Sequence, residues 1–239
     1  MSLYCIADPH LSEFMKKPMD VFGSRWVGHR EKFLNGWKNT VTDEDTVVIP
    51  GDISWAMTLE KALPDLKLIN SLPGKKILLR GNHDYWWQSV SKIRNALGGC
   101  NTVIIQNDSV MVEGFAVCGT RGWFPDSKKA PSGTDYIKLT EREALRLGMS
   151  LEHAEKNFCG EFSEKIVFLH FPPVYRGLIM DPIVNVMLEH NVKRCFYGHI
   201  HNVYDMPGTF EYKGIELTLV SADFLNFVPL EIKANESGA

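Results

Sequence analysis

Short apolar runs, each broken by a small polar cluster, organise this chain of 239 residues. Leu3 to Ala7, Thr46 to Pro50, Lys76 to Leu79, Ile166 to Leu169 and Arg194 to Tyr197 read as strands, several of them apolar enough for burial on both faces. Helical spacing fills the gaps between the first three. Residues 25–41 put Trp26, Phe33, Leu34 and Trp37 on one face. Thr58 is the expected N-cap of a helix over 59–71, with Glu60 in its first turn and Pro64 as a kink. A helix over 86–97 should stop at Gly98-Gly99. This βαβαβα order predicts a mostly parallel sheet with helices packed on it.

The later part changes character. Residues 102–105, 109–113 and 115–119 are short runs between polar turns and predict antiparallel strands. Thr140 and Glu143 read as a capping box opening a helix, with Leu147, Leu151, Ala154 and Phe158 as its apolar stripe and Gly148 as a candidate break. Asp181 reads as the N-cap of another helix, with Pro182 at its first position and Asn191 as its stop. The tail from Phe210 to Ile232 reads as short strands, with a hairpin turn at Lys213-Gly214. No repeat or linker interrupts the pattern, so a single domain over 1–239 is expected. Segment 120–160 is long for a connection and is read as a cap or lid insertion, with an oligomer contact as the rival account.

Composition adds limits. An apolar share of 44% supports a sizeable core, and a formal charge of −3 argues against broad nucleic-acid or membrane-surface binding. The cysteines are odd in number, with no C-x-x-C pair, and Cys5, Cys118 and Cys195 lie inside apolar runs. Free buried thiols fit a reducing compartment, so a cytoplasmic location is expected. Leu3 to Ala7 runs into the first polar cluster without a basic or long apolar leader.

The polar clusters carry the chemistry. Asp8-Pro9-His10, Gly51-Asp52, Gly81-Asn82-His83-Asp84, His170 and Gly198-His199-Ile200-His201 each follow a strand-like run and hold five of the eight histidines. Imidazole with carboxylate or amide oxygen suits Mn, Fe, Zn, Ni or Co, whereas Mg or Ca favours oxygen alone. Ligand sites in open α/β sheets gather at the carboxyl ends of strands, so these segments can converge on one two-metal site. His29, His153 and His190 lie on expected helices outside every cluster and read as surface or packing residues.

The ordered set D-x-H, G-D, G-N-H-D, H and G-H-x-H, from residue 8 to 201, resembles the calcineurin-like metallophosphoesterases, and more particularly the bacterial predicted phosphohydrolases of that superfamily. The resemblance implies an α/β fold of two β-sheets packed as a sandwich and flanked by helices. It implies two metals sharing Asp52, with Asp8, His10 and His201 on one and Asn82, His170 and His199 on the other. A metal-bridging hydroxide would attack phosphorus in line. His83 would protonate or stabilise the leaving group, oriented by Asp84.

Departures from related patterns narrow the reading. Purple acid phosphatases resemble this motif set but carry a ligating Tyr where Trp55 stands, and an indole offers only an N–H donor. Protein phosphatases of the superfamily carry an Arg shortly after the G-D, and Gly51 to Met57 holds none. Arg176 and Arg121 are the cations placed to grip a substrate phosphate. Trp55, Tyr85, Trp86, Trp87, Trp123 and Tyr175 crowd the same loops, as packing or as stacking surfaces. The expected activity is hydrolysis of a small phosphomonoester or phosphodiester. A nuclease or nucleotide phosphodiesterase is the nearest enzymatic alternative, and a non-catalytic scaffold of the same fold the other.

Overall fold

The protein, seen in a computed structural model, is described here at residues 1–98, 101–129, 132–133 and 135–234. Strands β1 (Leu3–Cys5), β2 (Thr46–Pro50), β3 (Lys75–Leu79) and β4 (Thr102–Ile104) run parallel in one sheet. β13 (Leu230–Ile232) closes its far edge antiparallel to β1. The second sheet has a parallel centre of β6 (Phe115–Thr120), β7 (Glu164–Leu169), β10 (Arg194–Tyr197) and β12 (Ile215–Leu219). Its antiparallel edges are β5 (Ser109–Val112) and β11 (Thr209–Tyr212), which gives the order β11-β12-β10-β7-β6-β5. A small hairpin, β8 (Val174–Tyr175) with β9 (Leu178–Ile179), stands apart from both.

Strand periodicity assigns the faces. In β2, Val48 turns toward the second sheet, joining Ile77, Val117, Ile166 and Phe168 in the core between the sheets. Its neighbours Val47 and Ile49 turn the other way, against Phe33 and Trp37 of α1 (His29–Thr40), Leu66 and Ile69 of α2 (Leu59–Asn70) and Ile93 of α3 (Val90–Leu97). The same alternation in β7 sends Val167 and Leu169 outward onto α4 (Tyr136–Asn157) and α5 (Asp181–Glu189). The result is four layers, helix on sheet on sheet on helix, as the resemblance implied. Cys5, Cys118 and Cys195 are buried free thiols, and Cys100 lies outside the described residues.

Several local expectations hold. Thr58 caps α2, accepting from the Lys61 N–H, and Gly98 closes α3 in the left-handed conformation. Lys213 and Gly214 both take positive φ at the β11–β12 hairpin. Others are corrected. β4 pairs in parallel with β3, because α3 returns the chain to the same edge of the first sheet. α3 starts at Val90 rather than 86, since Trp86 is drawn into the core. α5 begins at Asp181 itself, after Met180. α4 runs unbroken through Gly148 and starts at Tyr136, where Asp135 accepts from Lys138 N–H at 3.1 Å. Thr140 and Glu143 are therefore interior helix residues and not a capping box. Both are buried, and Glu143 accepts from Thr120 Oγ1 of β6 at 2.8 Å. Segment 120–160 thus contains a helix whose Leu147, Leu151 and Ala154 pack on the second sheet.

Candidate metal centre

The five polar clusters meet at the carboxyl ends of β1, β2, β3, β7 and β10, where hydrogen bonds tie the loops together. Asp8 N–H donates to Gly51 C=O at 3.0 Å, and His10 and Leu11 donate to Asp52 and Ile53 at 3.0 and 2.9 Å. Ala7 N–H reaches Val220 C=O at 2.8 Å and Ala222 N–H returns to Ala7 C=O at 2.9 Å, which joins the two sheets beneath the site. Backbone strain concentrates here: Asp8, His10, Asp52 and His199 have φ of 59°, 46°, 52° and 70°. Left-handed backbone at non-glycine residues persists only where surrounding structure holds it, and it gathers at functional sites. Gly51 and Gly81 allow the crowding. A Cβ on Gly51 would lie 2.6 Å from Gly81 Cα, and one on Gly81 would lie 2.1 Å from Asp52 Oδ1.

Two groups of side chains could each hold a metal ion: Asp8, His10 and His201, and Asp52, His170 and His199. Asp52 lies between them, its Oδ2 3.7 Å from His10 Nε2 and 3.5 Å from His170 Nε2. Asn82 Oδ1 lies 2.6 Å from His170 Nε2. His170 Nδ1 faces the Pro50 carbonyl at 3.2 Å, which can only accept, so the proton belongs there. Nε2 then presents a lone pair to the Asn82 oxygen, two acceptors converging. On the other side His201 Nδ1 donates to Asp223 Oδ1 at 2.8 Å, which leaves its Nε2 turned toward His10 Nε2 at 3.3 Å. Asp8 Oδ1 and Asp52 Oδ2 are buried with no hydrogen-bond partner. Buried carboxylate oxygens without donors are costly, and convergent lone pairs repel unless a cation sits among them. The donor set fits two transition-metal ions on these grounds.

The electrostatics agree. Burial, followed by the neighbouring Asp8 and Asp84, pushes the Asp52 carboxyl well above the usual range, and burial pushes Asp8 up to about 6. Burial and the surrounding imidazoles hold His10 and His170 well below the ordinary histidine value. Burial is the leading cause of each shift and disfavours the charged form, so the imidazoles stay neutral, as ligands must be, and the carboxylates gain most from a cation.

His83 points into the same site, its ring centroid 4.3 Å from Trp55 and 5.8 Å from His10. Its backbone N–H donates to Asp52 Oδ1 at 2.7 Å, while its Nδ1 is buried with no partner. Burial, with Lys17 and His201, lowers its imidazole to about 4. Asp84 does not orient this ring, which corrects the expectation. Its carboxylate instead accepts from the N–H groups of Asp52, Ile53, Ser54 and Gly81 and from Trp86 Nε1, at 2.8 to 3.2 Å. Those donors turn it away from His83.

A mostly apolar cleft of about 90 Å³ opens beside His83, His10 and His201, walled by Trp26, Trp55, Met19 and Phe22. Trp55 stacks on His10 with ring centroids 4.8 Å apart, and Lys17 Nζ lies 3.0 Å over the Trp55 ring. The other cluster packs against Phe171, whose ring lies 4.4 Å from that of His199. Arg176 stands at the exposed tip of the β8–β9 hairpin over Tyr175. Arg121 is half-buried, with its carbonyl accepting from His170 and Phe171 N–H at 3.1 and 3.0 Å.

Asp223 escaped the sequence reading. It is fully buried and gathers His201 Nδ1, Asn202 N–H and the Tyr204 hydroxyl, which together outweigh burial and lower its carboxyl. Such a carboxylate fixes the tautomer of a ligating histidine. The signal was present, since Val220-Ser221-Ala222-Asp223 again puts an acid just past a strand, but no histidine accompanies it.

No curated protein matches the chain. Among solved structures, it is similar to a phosphopantetheinyl hydrolase from Mycobacterium tuberculosis, at 13% identity over 100% of this chain and 98% of that one, with a TM-score of 0.59. It is also similar to a protein from Thermus thermophilus at 12% identity, covering 93% of this chain and 89% of that one, with a TM-score of 0.57. At these identities the likeness is one of fold. No helix among the described residues is long and apolar enough to cross a membrane. The family model for calcineurin-like phosphoesterases matches residues 1–203, and the chain therefore belongs to that family and is a metal-dependent phosphoesterase.

Proposed function

We propose that the protein hydrolyses a small-molecule phosphomonoester or phosphodiester at a dinuclear centre. The observation that carries this reading is Asp52 Oδ2, buried, without a donor, and within 3.7 Å of a histidine nitrogen from each group. In this reading Asp8, His10 and His201 hold one ion, Asn82, His170 and His199 the other, and Asp52 contacts both. Two bound ions would supply Lewis-acid polarisation of a phosphoryl oxygen and a water made acidic at neutral pH.

The chain's own residues do the rest. Asp223 keeps the His201 proton on Nδ1, and the Pro50 carbonyl does the same for His170, so each offers Nε2 inward. His83 lies at the junction of the polar clusters and the aromatic cleft. From there the neutral ring would direct an N–H to the leaving-group oxygen and stabilise the charge that develops as the ester bond breaks. The Trp55 and Trp26 walls fit an apolar or aromatic leaving group and exclude water from that oxygen.

The test is a panel of metals against substrates. Chelator-stripped protein, reloaded with Mn²⁺, Ni²⁺, Zn²⁺, Co²⁺ or Fe²⁺, is assayed on nitrophenyl phosphate and bis-nitrophenyl phosphate. Metal-dependent release of nitrophenol from at least one ester, abolished in Asp52→Asn, is expected. Bound metal with no hydrolysis of either ester under any loading would overturn the proposal.

A further inference from the structure

A second cleft, of about 80 Å³, lies between the carboxyl ends of β3, β4 and β6 and the α4 residues Glu143 and Arg146, on the rim that carries the metal centre. We propose that this cleft, walled by Arg80, Arg121 and Arg146, holds a second phosphate group of the substrate, next to the one that is hydrolysed. The inference rests on the hydrolase reading above and specifies its substrate class.

Charge is the first argument. Glu143 is wholly buried in the cleft wall and accepts from Arg146 Nη1 at 2.8 Å. Arg121 Nη2 lies 3.8 Å and Arg142 Nε 3.7 Å from the same oxygen. One carboxylate thus faces three guanidinium groups, and Arg80 adds a fourth along the wall. Positive charge in this cleft exceeds what the protein neutralises.

Unused hydrogen-bonding capacity is the second. Arg121 Nε is buried and has no acceptor, a state that buried donors rarely keep without a ligand or water to meet them. Space is the third. One water needs about 10–15 Å³ of such volume, so the cleft takes a group several times larger. Guanidinium forks match the tetrahedral oxyanion of a phosphate through paired N–H donors.

Position is the fourth. The lining residues Arg80, Gln106 and Arg121 come just past the carboxyl ends of β3, β4 and β6, the same rim that carries the metal clusters. Arg80 directly precedes Gly81-Asn82, and the Arg121 carbonyl is hydrogen-bonded to the His170 and Phe171 amides. A substrate with two phosphates can therefore span one contiguous surface.

The experiment is calorimetric titration of inorganic phosphate into the full-length protein, once loaded with Mn²⁺ and once stripped with chelator. The loaded protein should show two phosphate sites and the stripped protein one. Arg80→Gln, at an exposed position, and Arg121→Gln should each weaken the metal-independent site about tenfold or more, the scale of one lost charge-assisted pair. Glu143→Gln should strengthen it. Thermal midpoints measured on each variant separate loss of binding from loss of fold, and Arg80→Gln remains informative if the buried substitutions unfold the chain. Absence of phosphate binding in the stripped protein, or equal binding by wild type and Arg80→Gln, overturns the proposal. Failure of the dinuclear reading shows separately, as a missing metal-dependent site. Competition by adenosine 3′,5′-bisphosphate against adenosine 5′-monophosphate on loaded protein then decides the source of the anion. A bisphosphate advantage that Arg80→Gln removes supports a second substrate phosphate, and equal affinities would assign the cleft to free phosphate and overturn this assignment.

Discussion

Two turns lie against each other at the crest of the first sheet, and each presents a buried aspartate. Asp84, in the turn after β3, receives five N–H donors shared over both oxygens, three of them from the backbone of residues 52–54. Asp52, in the turn after β2, receives the His83 N–H on Oδ1, while Oδ2 has no donor at all. The two residues share an amino acid, a place at a strand end and near-complete burial. They differ in what the protein leaves undone. Asp84 is consumed by the fold, since it clamps one turn onto the other. Asp52 keeps an open oxygen close to His10, His170 and His199, held in place by the clamp beside it. A buried carboxylate is a functional candidate in proportion to the hydrogen bonds it lacks, not to its burial.

That contrast can be broken in steps. Asp52→Asn removes the shared anion and should cut turnover by about a thousandfold or more, the few kcal/mol that metal assistance supplies. Metal analysis should show fewer than two ions per chain, with the thermal midpoint of the metal-free protein held or raised. A metal-free Asp52→Asn protein that unfolds early would erase the distinction from Asp84. His83→Ala should lower turnover by about a hundredfold, within the usual range for a lost hydrogen-bond donor to developing charge, and leave metal content intact. Steady-state kinetics beside metal analysis reads both.

Asp84→Asn should act in the opposite sense. Its amide would turn an NH₂ toward N–H donors, so a stability loss of about 3 kcal/mol is expected, the cost of unsatisfied buried groups near a lost charge. Urea unfolding of the metal-free protein measures it, and a loss below experimental scatter would show that the clamp is dispensable. Asp45 provides the smallest and most distant comparison. Burial alone would raise its carboxyl, but donors from Thr42 and the Ser2 amide prevail and hold it below the usual value. Its folded value is the lower one, so its contribution is present above the unfolded value of about 3.9 and fades as pH falls through the folded value. Asp45→Asn should therefore cost about 1 kcal/mol at neutral pH, with the difference from wild type vanishing in acid. Urea unfolding across pH 2 to 7 shows whether the two curves converge.

Much of the layered fold was legible because strand burial and helix stripes leave periodic marks. The alternation of Val47, Val48 and Ile49, and the spacing of Phe33 and Trp37, reflect the packing they meet. β4 was misjudged because a run of three residues has no direction of its own, and its partner is chosen by where α3 leaves the chain. Thr140 and Glu143 misled for a related reason. Their spacing satisfies a local cap, but Glu143 is claimed by Thr120 across the layer and by Arg146 one turn along its own helix.

The sequence by itself determined the reagents of this protein. Carboxylate, amide and imidazole in ordered clusters past apolar runs carry enough chemistry to name a metal site, because ligand type and strand-end position are local properties. Tertiary structure decided which reagents are free. That Asp84 is saturated, that Asp52 Oδ2 is open, that Asp223 steadies His201, and that Arg121 is brought to Glu143 all depend on contacts between segments far apart in the chain. A hydrogen-bond deficit belongs to an atom's surroundings, and only folding brings those together.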